Sequence, residues 1–329
     1  MTAAQLVALD DTRELGVVVP PPPAAPPPPP RASRRVPRWI PRPPGPPLSP
    51  GRHVAAQVSR LLAVVLLALA AYVGIVSHLE HAIAQDRLHR EFAAQATAGT
   101  APVSEGTFDG VLLADGAPVA QLTIPQIGLD ETVVEGTDSS NLALGPGHRR
   151  DTSLPGQVGV SIVMGRQAAF GGPFGRIEEL APGDRFTVST GQGVQTFEVI
   201  GVRYAGDASP APIKAGESRL VLVTARGPAF LPSGVVRVDA ELVSEAQPRG
   251  PRYTTFQTLK PSQLEMAGDT SRAWALVFAL QLLLVVAVAA VWTYRRIGAR
   301  QTWAVFLPVG LLAFLVVADQ AIRLLPNLM

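Results

Sequence analysis

Residues 220–230 read LVLVTARGPAF: four aliphatic residues, Leu220–Val223, end at Thr224-Ala225-Arg226 before a Gly-Pro loop. The run is too short for an ordinary helix and is half β-branched, so it predicts a strand buried on both faces that presents its far end to something. What stands at that end is Ala225, whose side chain is a methyl group.

Similar runs flank it. AQLTIPQI, VGVSIVMG, DRFTVST, QTFEVIGVRY and GVVRVDAELV lie between about residues 119 and 245, separated by Gly, Pro and Asp. Short strands with turn residues between them predict an all-β barrel or sandwich, and this length suffices for one core.

Outside that segment the texture changes. Hydrophobic residues make up 47% of the 329-residue chain and gather in three long runs, at 54–77, 272–294 and 302–325. Each matches the roughly 20 apolar residues that cross a hydrocarbon core. Residues 1–53 are rich in Pro and Arg, which predicts a disordered tail with polyproline II character, a spacer or a PxxP ligand for a cytoplasmic partner. Arg gathers on cytoplasmic flanks, so this tail and the loop at 295–301 (Arg295, Arg296, Arg300) are expected inside, and the β segment outside the cell.

Between the first run and the β segment, 78–118 begins without Gly or Pro and spaces Leu79, Ile83, Leu88 and Phe92 near a helical period, predicting a helical stalk and linker. His78 and His81 read as polar residues of a solvated stalk, since a metal site would need more ligands. Residues 246–271 read as a polar linker, and Asp319 with Arg323 as an i, i+4 pair near the outer end of the last helix.

Composition excludes several chemistries. The chain has no Cys, so disulfides, thiolate metal sites and cysteine catalysis are ruled out. There is no G-x-S-x-G, no G-x-x-x-x-G-K-[ST], no H-E-x-x-H and no EF-hand loop, so no cofactor or metal is expected. The net charge of +2 resides in the flanks of apolar runs, against a nucleic-acid partner. Adjacent Glu178 and Glu179 read as a solvated pair.

Taken in order, LTIPQIGLDETVVEGTDSSNLALGPGHRRDTSLPGQVGV, IVMGRQAAFGGPFGRIEELAPGDRFTVST, LVLVTARGPAF and VRVDAELV resemble the extracytoplasmic domain of the sortase family, class D and E type, of Gram-positive bacteria. The resemblance covers 122–242 and implies a closed sortase-like β-barrel, here with one N-terminal and two C-terminal transmembrane helices. Composition adds the look of an actinobacterial chain.

The resemblance also implies a chemistry. Sortases cut a sorting signal and join the protein to an amine with a Cys nucleophile, a His for the leaving amine's proton and an Arg that steadies developing charge. The positions matching that triad hold Ala225 for Cys and Arg166 for His, with Val235 or Arg237 at the Arg position. A methyl group cannot attack a carbonyl, and a guanidinium with a pKa above about 12 cannot serve as a base. A catalytically inactive sortase homologue is therefore expected, one that binds a peptide or docks onto envelope partners. Its candidate cleft residues are His148, Thr224, Arg166 and Arg237, with Arg166 as a positive charge at the rim that favours acidic peptides. Two alternatives are a non-cysteine enzyme using Thr224 or Ser161 with His148, and a structural subunit whose membrane helices matter most.

Overall fold

The computed structural model describes residues 50–107 and 109–329. Of the expected Pro-rich tail over 1–53, residues 1–49 and with them the tail's partner lie outside the described residues, and 50–53 belong to the first helix. Helix α1 (Pro50–Ala71) passes through a five-residue π-helical segment, Tyr72–Val76, into α2 (Ser77–Ala98), which ends at Gly99 in the left-handed conformation. Three stretches among the described residues are long and apolar enough to cross a membrane: Leu62–Ala98, Ala273–Ile297 and Ala299–Arg323.

Eight strands follow: β1 (Pro118–Ile124), β2 (Leu129–Glu135), β3 (Gly147–His148), β4 (Gly159–Met164), β5 (Arg185–Thr190), β6 (Gly193–Tyr204), β7 (Ser218–Arg226) and β8 (Gly234–Leu242). They close into a barrel in the order β1-β2-β3-β4-β7-β8-β6-β5, with β5 returning to β1. Two of the pairings, β2 with β3 and β4 with β7, are parallel. Alternate side chains fill the interior, among them Leu122, Ile124, Val163, Phe186, Phe197, Leu220, Leu222, Val236 and Val238. Phe186 and Phe197 stack there with ring centroids 5.8 Å apart.

The apolar runs quoted above correspond to six of these strands. β2 and β3 lay outside those runs. Asp130, Glu131 and buried Glu135 interrupt the apolar pattern of LDETVVE, and two-residue β3 sits in a Gly-Pro loop with no periodicity to read.

The stalk departs from its expected solvation. α2 lies against β1 and β2, burying Ser77, His81, Leu88 and Phe92 while Leu79 and Ile83 stay exposed. His81 Nε2 is 3.0 Å from Glu131 Oε1, and the Gln85 amide bonds the Thr132 N–H and carbonyl as well as the Leu144 carbonyl. Helices α3 (Ala273–Ile297) and α4 (Ala299–Arg323) form a hairpin broken only at Gly298, φ 100°, so the expected loop at 295–301 is almost wholly helical.

Candidate functional site

β7 is buried on both faces because two different layers cover it. Leu220 and Leu222 point into the barrel, whereas Val221, Val223 and Ala225 point outward into a second apolar cluster with Leu142, Met164 and Leu328. Thr224 therefore faces inward, where its hydroxyl donates to the Gly165 carbonyl at 2.8 Å. Gly165 is required there, since a Cβ would lie 2.5 Å from the Phe174 ring.

The register with β8 fixes the third position. Ala225 lies opposite Val235 and Val223 opposite Arg237, so Val235 and Arg237 share the outward face with Ala225. The Arg237 guanidinium is already paired with Glu265, from the segment that precedes α3.

Arg166 lies two residues beyond the end of β4 and differs from expectation: it is fully buried and does not stand at a rim. Its Nη1 donates to the Met329 main-chain oxygen at 2.9 Å and its Nη2 to the Ser139 carbonyl and hydroxyl at 2.8 and 2.7 Å. Burial, helped by the nearby Arg323 charge, pushes the guanidinium down to about 9, well below its ordinary value. It remains protonated at neutral pH, with most of its donors committed, and offers little charge to an acidic ligand.

An open cavity of about 400 Å³ adjoins Ala225, lined by Gln167, Phe174, Arg176, Glu178, Glu179 and Arg226 among others. Glu178 and Glu179 are exposed as expected, yet they line this cleft. A hydrogen-bonded, two-point pairing with Arg176, at 2.9 and 2.6 Å, holds the Glu179 carboxyl below the usual range. The cavity thus carries both signs of charge.

His148 is not part of it. Buried on β3, its Nδ1 faces Glu135 Oε2 and its Nε2 the Ser153 carbonyl, each at 2.9 Å. Both nitrogens meet acceptors, so the ring ties β2 to the loop after β3. The only hydroxyl in hydrogen-bond reach of it among the described residues is Thr152, 3.2 Å away, which is also placed to donate to Arg149 O at 2.7 Å. Neither Thr224 nor Ser161 bonds to His148, and the buried Ser161 hydroxyl is unpartnered. Neither candidate hydroxyl is therefore paired with His148 in the way that general-base activation of a hydroxyl nucleophile uses.

Sequence reasoning passed over Asn327 and Leu328, which follow the last apolar run. Both are fully buried against the outward face of the barrel. Their one local signal is Pro326, which cannot continue α4 and turns the chain back.

Residues 122–238 match the family described as Sortase domain. Sortase D of Bacillus subtilis (strain 168) is 30% identical over 105 residues, 31% of this chain and 52% of that protein, so the chain spans about half the length of that curated relative. Among solved structures, a Clostridium perfringens Sortase D5 transpeptidase is 18% identical with a TM-score of 0.40, covering 50% of this chain and 99% of its own. Sortase E1 from Streptomyces coelicolor with a tripeptide in the active site is 24% identical with a TM-score of 0.34, covering 40% and 91%. The closed eight-stranded barrel of this chain, with Ala225 at the end of its seventh strand, has the sortase fold, and residues 122–238 within it match the Sortase domain family.

Proposed function

We propose that this chain is a membrane-anchored, sortase-like surface module without transpeptidase activity, which holds a peptide or docks an envelope protein at the outward face of β4, β7 and β8. The observation that carries the reading is Ala225, at the end of β7 in a chain with no Cys at any position. Sortase chemistry needs a thiolate for acyl transfer, and no relocated sulfur nucleophile can substitute. Arg166, at the position the resemblance assigns to His, is engaged with Ser139 and Met329 and cannot take a proton at neutral pH.

The surface placement rests on the Arg-rich flanks, which favour a cytoplasmic N-terminus and an extracellular barrel. The open cavity at the end of β7, which Ala225 borders together with Thr224, Arg226 and Phe174, supports binding next to that face, because it has the size of a small-ligand or peptide subsite.

The test is turnover. The full chain in lipid nanodiscs, given a fluorogenic sorting-signal peptide and an amine acceptor, is expected to release no more product than buffer. Release above buffer that disappears in His148→Ala would overturn the reading in favour of a non-cysteine enzyme.

A further inference from the structure

The outward face of β7 is not empty along its length. α4 ends at Arg323, and Pro326 redirects the chain so that the next residues run over the barrel. Leu328 is fully buried in the cluster formed by Leu142, Met164, Val221, Val223 and Ala225. Its carbonyl accepts from the Gln167 N–H at 2.9 Å, and the Met329 main-chain oxygen accepts from Arg166.

Asn327 is equally buried and is held from the other side. Its N–H donates to the Ala267 carbonyl at 2.9 Å, and its side-chain amide to the carbonyls of Thr137 at 2.8 Å and Leu264 at 2.9 Å. Short segments from three parts of the chain, around 137–142, 166–167 and 264–267, thus grip a five-residue stretch by main-chain bonds and one aliphatic pocket. The stretch itself is a tight turn, in which the Met329 N–H donates to the Pro326 carbonyl at 3.1 Å, so it is held as a turn seated in a pocket and not as an added strand.

The fit is incomplete. Asn327 Oδ1 and Arg166 Nε are buried without any partner. Each such atom forfeits the hydrogen bond it would make to water, which offsets part of what the other bonds of the stretch contribute.

We infer that residues 325–329 are an occupant in cis of the cleft over Ala225, a displaceable plug that a partner segment must replace. The competing segment is a peptide that forms the same tight turn, with a side-chain amide that meets the Thr137 and Leu264 carbonyls, followed by an aliphatic residue for the Leu328 pocket. Displacement frees the stretch immediately after α4, so occupancy of the cleft is coupled to the end of a membrane-spanning helix. From the proposed function the inference takes only that this face is a ligand cleft, and it does not require loss of catalysis.

Because the chain lacks Cys, Leu328→Cys gives a single thiol that reports occupancy, with exposed Lys214→Cys as its reference. In lipid nanodiscs, a membrane-impermeant maleimide is expected to react about tenfold or more slower at position 328 than at 214. Saturating amidated Leu-Pro-Asn-Leu-Met peptide is expected to raise the rate at 328 by about tenfold and leave 214 unchanged. Equal rates without peptide, or a rate at 328 that no peptide concentration moves, overturns the inference.

Since the introduced Cys itself loosens the pocket, a second measurement leaves Leu328 in place. Anisotropy of the same peptide, fluorescently labelled, is expected to show about tenfold tighter binding to Asn327→Ala than to the unchanged chain, since the plug no longer competes. Equal affinities in the two folded proteins overturn it. Neither readout involves turnover, so catalysis found in the assay above would leave this inference standing, and its failure would leave the inactive reading untouched.

Discussion

At Arg166 a fixed charge sits with no exposed surface, held by acceptors 27 and 163 residues away in sequence. Taking a guanidinium out of water is costly, and three good hydrogen bonds offset only part of that cost. Folded Arg166 holds its proton less tightly than the unfolded chain, so the penalty is present in full below about pH 9 and is relieved as pH rises through that value. With Arg166→Met as the reference in which other titrations cancel, the thermal midpoint of the unchanged protein is expected to rise relative to the variant between about pH 8 and about pH 10. A difference between the two midpoints that stays flat across that window would refute the assignment. Sequence made Ala225 legible because an aliphatic run that stops abruptly names its own last residue. It could not reveal the burial of Arg166, because Ser139 and Met329 join it only through the closed barrel and the turn after α4.

Among the elements, α2 shows where periodicity misleads. Its apolar spacing through Leu79, Ile83, Leu88 and Phe92 gave the helix correctly but only half of its buried face. The barrel side follows Ser77, His81, Gln85, Leu88 and Phe92, and polar residues join that face because exposed edges of β2 and the loop before β3 offer them backbone partners. Gln85 replaces water at three main-chain groups, and its loss leaves them without partners. Gln85→Ala is expected to lower unfolding free energy by about 1–3 kcal/mol, while Glu91→Ala on the exposed side changes it by less than about 0.5 kcal/mol. Chemical denaturation in detergent, followed by tryptophan-independent circular dichroism, compares them. Equal effects would mean that α2 is not clamped to the barrel through this amide. β3 and the parallel pairings stayed hidden for a related reason: two residues carry no period, and parallel neighbours are set by crossovers that no local pattern records.

Across the whole molecule, three apolar stretches and a β segment were readable from composition, while their mutual packing was not. The loops that rim the cleft meet the helices in one apolar cluster, in which Phe170 and Ala143 touch Tyr72, Ala318 and Ile322. Arg323, bonded to Asp319 at 2.6 Å as the i, i+4 spacing expects, also stacks 5.3 Å from the centre of the Phe170 ring. The Cys-free background makes the expected orientation directly testable. In intact cells, Lys214→Cys is expected to react with an impermeant maleimide, and Arg300→Cys, at the turn between α3 and α4, only after lysis. The reverse pattern would place the barrel in the cytoplasm.

Phe170 and Ala143 pack the loops beside the cleft directly on the helices, which keeps its mouth close to them. In a bilayer, such a mouth searches a plane and not a volume. The number of partners it meets is then governed by their density among the lipids and by lateral diffusion, and a ligand too weak to be captured from solution is captured readily when it is itself anchored a short distance away.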